Sequence, residues 1–272
     1  MNTRTAIVAV AAAAVVLAAC GSDDSPTTAP TASNSAATVA PAAAPDTTLA
    51  STGTSELATT VEATDDLEAA DGAIEQASDT RTFVAEVWAD NWFALYVDGE
   101  LVGQDSVPIT TERSFNAETI SFEASYPFTV AVEAKDFIET DSGLEYIGQQ
   151  NQQIGDGGII VQITDTSTGE TVAVSDADWA ALAIHQAPLN PECVRSASPD
   201  TDCESAIIDA PIGWTEAGFD DGAWSAATVW SESAVSPKDG YDEIDWDAAA
   251  QLIWGADLEI DNTVLLRTTV SG

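Results

Sequence analysis

The chain has 272 residues, with 46 Asp and Glu against seven Lys and Arg and a formal net charge of -39 at neutral pH. That balance excludes nucleic acid as a partner, because phosphate binding needs clustered Lys and Arg. Anionic polysaccharides and anionic lipid headgroups are disfavoured by the same Coulomb argument, whereas neutral glycans and cations are not.

Residues 1–19, MNTRTAIVAVAAAAVVLAA, place one Arg before an apolar run that is too short and too Ala-rich for a permanent span, the pattern of a signal peptide. The run closes on Leu17-Ala18-Ala19-Cys20-Gly21, which resembles the lipobox of bacterial lipoproteins. The resemblance implies cleavage before Cys20 and lipidation of that Cys. It also implies a cell-envelope protein that meets the membrane through its lipid anchor alone and faces outward from the cytoplasmic membrane. The alternative, a plain secretory signal, would leave Cys20 as an odd reactive thiol. From residue 20 to 79 the chain is mostly Ser, Thr, Ala, Pro and Asp, without an aromatic residue. Such a stretch buries too little apolar surface to offset its ordering entropy, so it reads as a disordered tether. A flexible chain of that length has an r.m.s. span of about 45 Å. Within it, residues 65–77 offer only a short helical pattern, broken at Gly72.

All eight Trp, four Tyr and seven Phe lie between Phe83 and Trp254, so residues 80–272 form the globular part. Its length fits one domain with a sizeable core. Runs of β-branched and aromatic residues separated by Gly, Asp, Asn and Pro clusters predict an all-β sandwich. Trp92 to Val97 is apolar in both alternating sets, which predicts a strand covered on both faces. Asp98-Gly99 supplies a two-residue turn, and Glu100 to Gly103 begins the return strand. Tyr126 to Ala134 is a further strand, Gly158–Thr164 and Thr171–Val174 form a second hairpin, and Thr263–Val270 closes the domain. Trp88, Trp92 and Tyr96 could form a stacking platform, but Trp92 and Tyr96 lie on the doubly apolar strand.

Chemistry is sparse. The single His185 has no Gly-x-Ser-x-Gly elbow and no free Cys to pair with, so it reads as a hydrogen-bonded structural residue. With so many acids, a glycosidase-type carboxylate pair is matched at any spacing and carries no information. Gly155-Asp156-Gly157-Gly158 is followed by a strand, not by the helix that a phosphate loop requires. Asp200, Asp202 and Glu204 alternate like a calcium loop, but Ser205 stands where that loop needs Gly. Cys193 and Cys203 are two thiols ten positions apart. Outside the reducing cytosol they fit a disulfide worth about 3 kcal/mol by chain entropy, the alternative being two free buried thiols. The long loop-like stretch 230–247 carries Tyr241 and Trp246 among Asp242, Glu243, Asp245 and Asp247. Sugar sites stack pyranose faces on aromatic rings and flank them with carboxylates, so Tyr241, Trp246, Asp242 and Asp245 are the candidate ligand-binding residues. The same acids offer oxygens to a hard cation such as Ca2+, while no cofactor is called for.

Several segments, taken in order, resemble the galactose-binding-domain-like jelly roll, in particular the accessory β-sandwich near the N-terminus of bacterial α-L-rhamnosidases. They are Leu95-Tyr96-Val97-Asp98-Gly99, Tyr126 to Ala134, Gly157 to Ile163 and Ser175-Asp176-Ala177-Asp178-Trp179. Gly213-Trp214, Phe219-Asp220-Asp221-Gly222-Ala223-Trp224 and Val264-Leu265-Leu266-Arg267 complete the series. The resemblance covers residues 83 to 270 and implies a jelly roll in which the Phe-Asp-Asp…Trp element packs a loop onto the sandwich. In those enzymes a downstream (α/α) barrel carries the catalytic acids, and this sequence stops at Gly272. The expectation is therefore a surface lipoprotein whose sandwich binds a neutral glycan without cleaving it. The alternatives are a protein-interaction module of the cell envelope and a glycoside-active enzyme.

Overall fold

The computed structural model describes residues 79–272. The signal peptide, Cys20 and the tether lie outside them, as does the short helical pattern at 65–77. The described residues are all-β, with two antiparallel sheets packed as a sandwich.

The chain enters on β1 (Arg81–Asp90), whose inward residues Phe83, Ala85 and Val87 are fully buried. The tight hairpin β2 (Trp92–Val97) and β3 (Glu100–Gln104) follows. Its turn residues Asp98 and Gly99 adopt φ of 48° and 93°, the left-handed pair that such a turn requires. Next come β4 (Ala117–Ala124), β5 (Phe128–Lys135), and the two-residue pair β6 (Leu144–Glu145) and β7 (Gln153–Ile154). The second expected hairpin is β8 (Gly158–Asp165) with β9 (Glu170–Val174). Beyond it lie β10 (Ala180–Gln186), β11 (Ala206–Ile207), β12 (Ser225–Ala226), β13 (Thr228–Trp230), β14 (Leu252–Trp254) and β15 (Asp261–Val270). Two single-turn helices, α1 (Pro199–Asp202) and α2 (Glu232–Val235), punctuate the long loops.

One sheet runs β13-β14-β8-β1-β4, with β9 also on β8; the other runs β11-β10-β15-β5-β2-β3, with β12 also on β10. Between them Phe83 of the first sheet meets Phe128 of the second at 4.9 Å, and both contact Phe122. Burying each such ring contributes about 1.5–3 kcal/mol. The strand that was expected to be covered on both faces is: Phe93, Leu95 and Val97 face the core. On the other side, Trp92 lies under Lys135 and Tyr96 under the edge of Trp214.

Trp214 belongs to the segment 211–224, which crosses the outer face of the second sheet and is held there by Arg267 of β15. The Arg267 side chain is only 3 % exposed. Its Nε donates to Asp221 at 2.9 Å, its two terminal nitrogens donate to the carbonyls of Trp214 and Glu216, and its plane lies over Phe219. This guanidinium is thus the fastener of the Phe219-Asp220-Asp221 element. Cys193 and Cys203 form the expected disulfide, with Cα atoms 5.3 Å apart. Between Arg195 and Lys238 the chain has no Lys or Arg, and much of it is exposed loop.

Replacing Arg267 with Leu strands two carbonyls and one carboxylate. It is expected to lower the unfolding free energy by about 3 kcal/mol, measured by urea denaturation. Replacing Cys193 and Cys203 together with Ser is expected to lower it by about 3 kcal/mol through the freed loop alone. In that variant the denaturant midpoint should become insensitive to reductant.

Candidate functional site

Three loops converge at one end of the sandwich. The first, 105–116, leaves β3 and turns on buried Ser114, whose hydroxyl accepts from the amides of Thr110 and Thr111 at 2.9 Å each. The second contains β6 and brings Glu145 and Tyr146, with Tyr146 held at a left-handed φ of 54°. A non-glycine residue there costs about 1–3 kcal/mol, and such strain is concentrated at functional positions. The third, 236–247, passes over residues 116–117 at Gly240. A Cβ at that glycine would lie 2.4 Å from the Ala117 nitrogen, and its φ is 88°. Trp88, fully buried in β1, ties these loops together. Its Nε1–H donates to the Asp239 carbonyl at 3.0 Å, and its ring meets Phe115 at 6.1 Å and the edge of Tyr241 at 5.5 Å.

Between the loops is an open recess of about 270 Å³ lined by Glu112, Arg113, Phe115, Tyr146, Lys238 and Asp239. It combines two aromatic rings with two cationic and two anionic groups. Lys238 Nζ lies 5.7 Å from the Phe115 ring centre. The Tyr146 hydroxyl is pushed up to about 12, first by burial and then by its hydrogen bond to Glu112.

Beneath the recess lie carboxylates that Lys238 reaches from above, its Nζ 4.0 Å from Asp90 Oδ2. Asp90, Asp136 and Glu145 are buried, at 2 %, 4 % and 5 % exposure, and Asp156 is half-buried. Each comes from a different element: the end of β1, the residue after β5, β6, and the glycine-rich turn before β8. Burial pushes Asp90 up to about 8, with Asp156 and Glu145 adding to the rise and Lys238 opposing it. Asp136 is held well above the carboxylate range by burial, then by the charges of Asp90, Glu145 and Asp156. Glu145 is raised by burial although it accepts from Gln153, and Asp156 is raised by burial against the pull of Lys238.

Tyr241 and Trp246 come together, with centroids 5.9 Å apart, as half-buried rings packed on the core. The Trp246 Nε1–H donates to the Tyr241 carbonyl, and the Tyr241 hydroxyl reaches Glu232. Asp242 and Asp245 are exposed. The loop singled out in the sequence therefore does reach the recess, but through Lys238 and Asp239. Sequence reasoning missed those two and the buried acids. One signal was present: Lys238 is the single base between Arg195 and Arg267. Among the described residues no group of three or more His, Cys, Asp or Glu is placed to hold a metal ion. His185 is buried, with Nε2 3.3 Å from the Asp141 carbonyl, in keeping with a structural residue. The Gly155-Asp156-Gly157-Gly158 turn is sterically required, since a Cβ on Gly157 would lie 2.3 Å from the Trp254 ring. No family model, curated protein or solved structure matches this chain.

A buried carboxyl outside the cluster gives a direct test of what such burial costs. Asp105 is 2 % exposed, its Oδ2 has no hydrogen-bond partner, and burial pushes it up to about 7. The folded state thus holds a proton that the unfolded chain has lost between about pH 4 and pH 7, so stability falls as pH rises through that window. Asp105→Asn keeps the oxygen that accepts from the Val107 amide. The variant should melt like the parent near pH 4 and above it at pH 8, by thermal denaturation at both values.

Proposed function

We propose that this chain is a surface lipoprotein, anchored through Cys20, whose sandwich is a galactose-binding-like jelly roll that binds a neutral glycan without cleaving it. The observation that carries this reading is the recess beside the half-buried Tyr146 ring, backed by the buried Phe115. Pyranose rings pack their apolar faces on aromatic side chains while their hydroxyls bond to charged and amide groups at the rim. Glu112, Arg113, Lys238 and Asp239 supply both donors and acceptors around the two rings. The strained Tyr146 backbone holds one of those rings in place. The surface charge favours uncharged sugars over acidic ones.

A second reading, docking to another envelope protein, draws support from Leu189, Ile207, Ile208 and Ile212, which are all exposed in the 189–212 stretch. Affinity electrophoresis of the whole chain in gels of neutral polysaccharides separates the two. Retardation by at least one polysaccharide, lost in Tyr146→Ala with the melting temperature within a few degrees of the parent, is the expected outcome. Absence of retardation by all of them, together with sugar-independent capture of an envelope protein that Ile207→Ser and Ile208→Ser abolish, would replace the first reading with the second.

A further inference from the structure

Below the recess, the Asp136 carboxylate poses a separate chemical problem. It follows β5 directly, and a 2.9 Å bond from its backbone N–H to the Asn262 carbonyl anchors its main chain at the strand end. Both of its side-chain oxygens are buried without a hydrogen-bond partner, and so is Asp90 Oδ2. One backbone donor, the Phe137 N–H, also acts on Asp136 but is engaged elsewhere. The Phe137 N–H donates to Asn91 Oδ1, and the Asn91 amide group donates to the Glu112 carbonyl. Leaving one charged oxygen unpaired in the interior costs more than an ordinary hydrogen bond contributes. Three such oxygens come from two acids, with Asp136 within reach of the Asp90 charge.

The surrounding chain closes over these oxygens. A Cβ on Gly155 would lie 2.4 Å from Asp136 Oδ2, so only glycine lets the 155–157 turn approach so closely. Glu145 and Asp156 add further carboxylates, and Glu145 is steadied by the Gln153 amide at 2.9 Å. The one base in reach, Lys238, is about half exposed and touches Asp90 only at 4.0 Å. A single distant ammonium does not balance four carboxyls.

We propose that Asp90 and Asp136 are the anionic ligands of a buried site for a hard divalent cation of the calcium class, roofed by the Gly155–Gly157 turn and bordered by Glu145 and Asp156. Two side-chain carboxylates are fewer than a side-chain-only cluster would need. Calcium, however, takes backbone and amide carbonyl oxygens alongside carboxylates in flexible geometry. Magnesium demands a regular octahedron and keeps several waters, which a closed site disfavours. Zinc and copper prefer imidazole or thiolate. The one His is bonded to Asp141, and Cys193 and Cys203 are in the disulfide. The cation would cancel the charge beneath the recess and fix the ends of β1 and β5 to the glycine turn. That role is independent of what the recess binds.

The test is calcium titration of the whole chelator-stripped chain by calorimetry, paired with melting curves. The expected result is one saturable ion per chain above weak surface binding, a melting temperature that rises and levels off, and a much smaller rise with magnesium. Asp136→Asn and Asp90→Asn should each weaken that site at least roughly tenfold and remove the thermal shift. The surface variant Glu123→Gln, at an exposed position of β4, should change neither. The proposal is overturned if the parent shows no saturable site, or if both Asn variants bind calcium as the parent does. It is also overturned if stripping leaves the melting curve unchanged while Asp136→Asn melts higher, which would mean that protons alone settle the carboxyls. Should an Asn variant fail to fold, the parent titration decides by itself.

Discussion

One indole in the core sets the geometry of the candidate site. Trp88 alternates with the inward residues of β1 and is fully buried under the loops that bring Phe115, Asp239 and Tyr241, so its ring cannot move without disturbing them. Its single N–H must find a partner there, and it does so at the Asp239 carbonyl. That bond fixes the loop that carries Lys238. The ring's other contacts fix Phe115 and Tyr241. A requirement of core packing thereby places a cation and an aromatic ring at the mouth of a recess.

The charge of the chain is handled in two different ways. Most acids of the described residues are exposed, where water and salt screen them. A few are enclosed, and there each needs its own answer. Buried Asp165 accepts from the Ser167 hydroxyl and lies 3.0 Å from Arg81, which together hold its carboxyl below the usual range. Arg267 reverses the roles, a buried cation met by a half-exposed Asp221 and two carbonyls. Among the described residues, only at Asp90 and Asp136 do buried oxygens outnumber donors so heavily. That contrast within one domain sets the end under the recess apart from the structural ion pairs.

The sandwich was legible where side-chain alternation and turn chemistry agree. β2, β3, β8 and β9 flank Asp-Gly or Thr-Gly turns, β15 is a run of β-branched and apolar residues, and all five strands form within a residue or two of expectation. Alternation was weaker in the missed strands. β10 is AALAIHQ, in which Ala favours no strand and a register shift near His185 breaks the period. β1 mixes Arg, Thr and Glu with apolar residues that fall on both faces, and its burial depends on pairing with β4 and β8, far away in sequence. The site was hidden for a related reason. Asp90, Asp136, Glu145 and Asp156 are separated by whole strands in a chain with 46 acids, and nothing local distinguishes them from solvated ones. Tyr241 and Trp246 attracted attention because aromatic residues in loops are conspicuous, yet a loop aromatic can equally close the end of a core. Only three-dimensional proximity ranks these residues.

The long loops between Arg195 and Lys238 carry no basic residue, and the segment that overlies Tyr96 is fastened at a single guanidinium. Proteases that cut after Lys or Arg therefore find no bond to hydrolyse across this entire exposed stretch, however often it loosens. A domain displayed outside a cell would be shielded there by composition instead of rigidity, and its digestion by enzymes of that specificity would have to begin elsewhere.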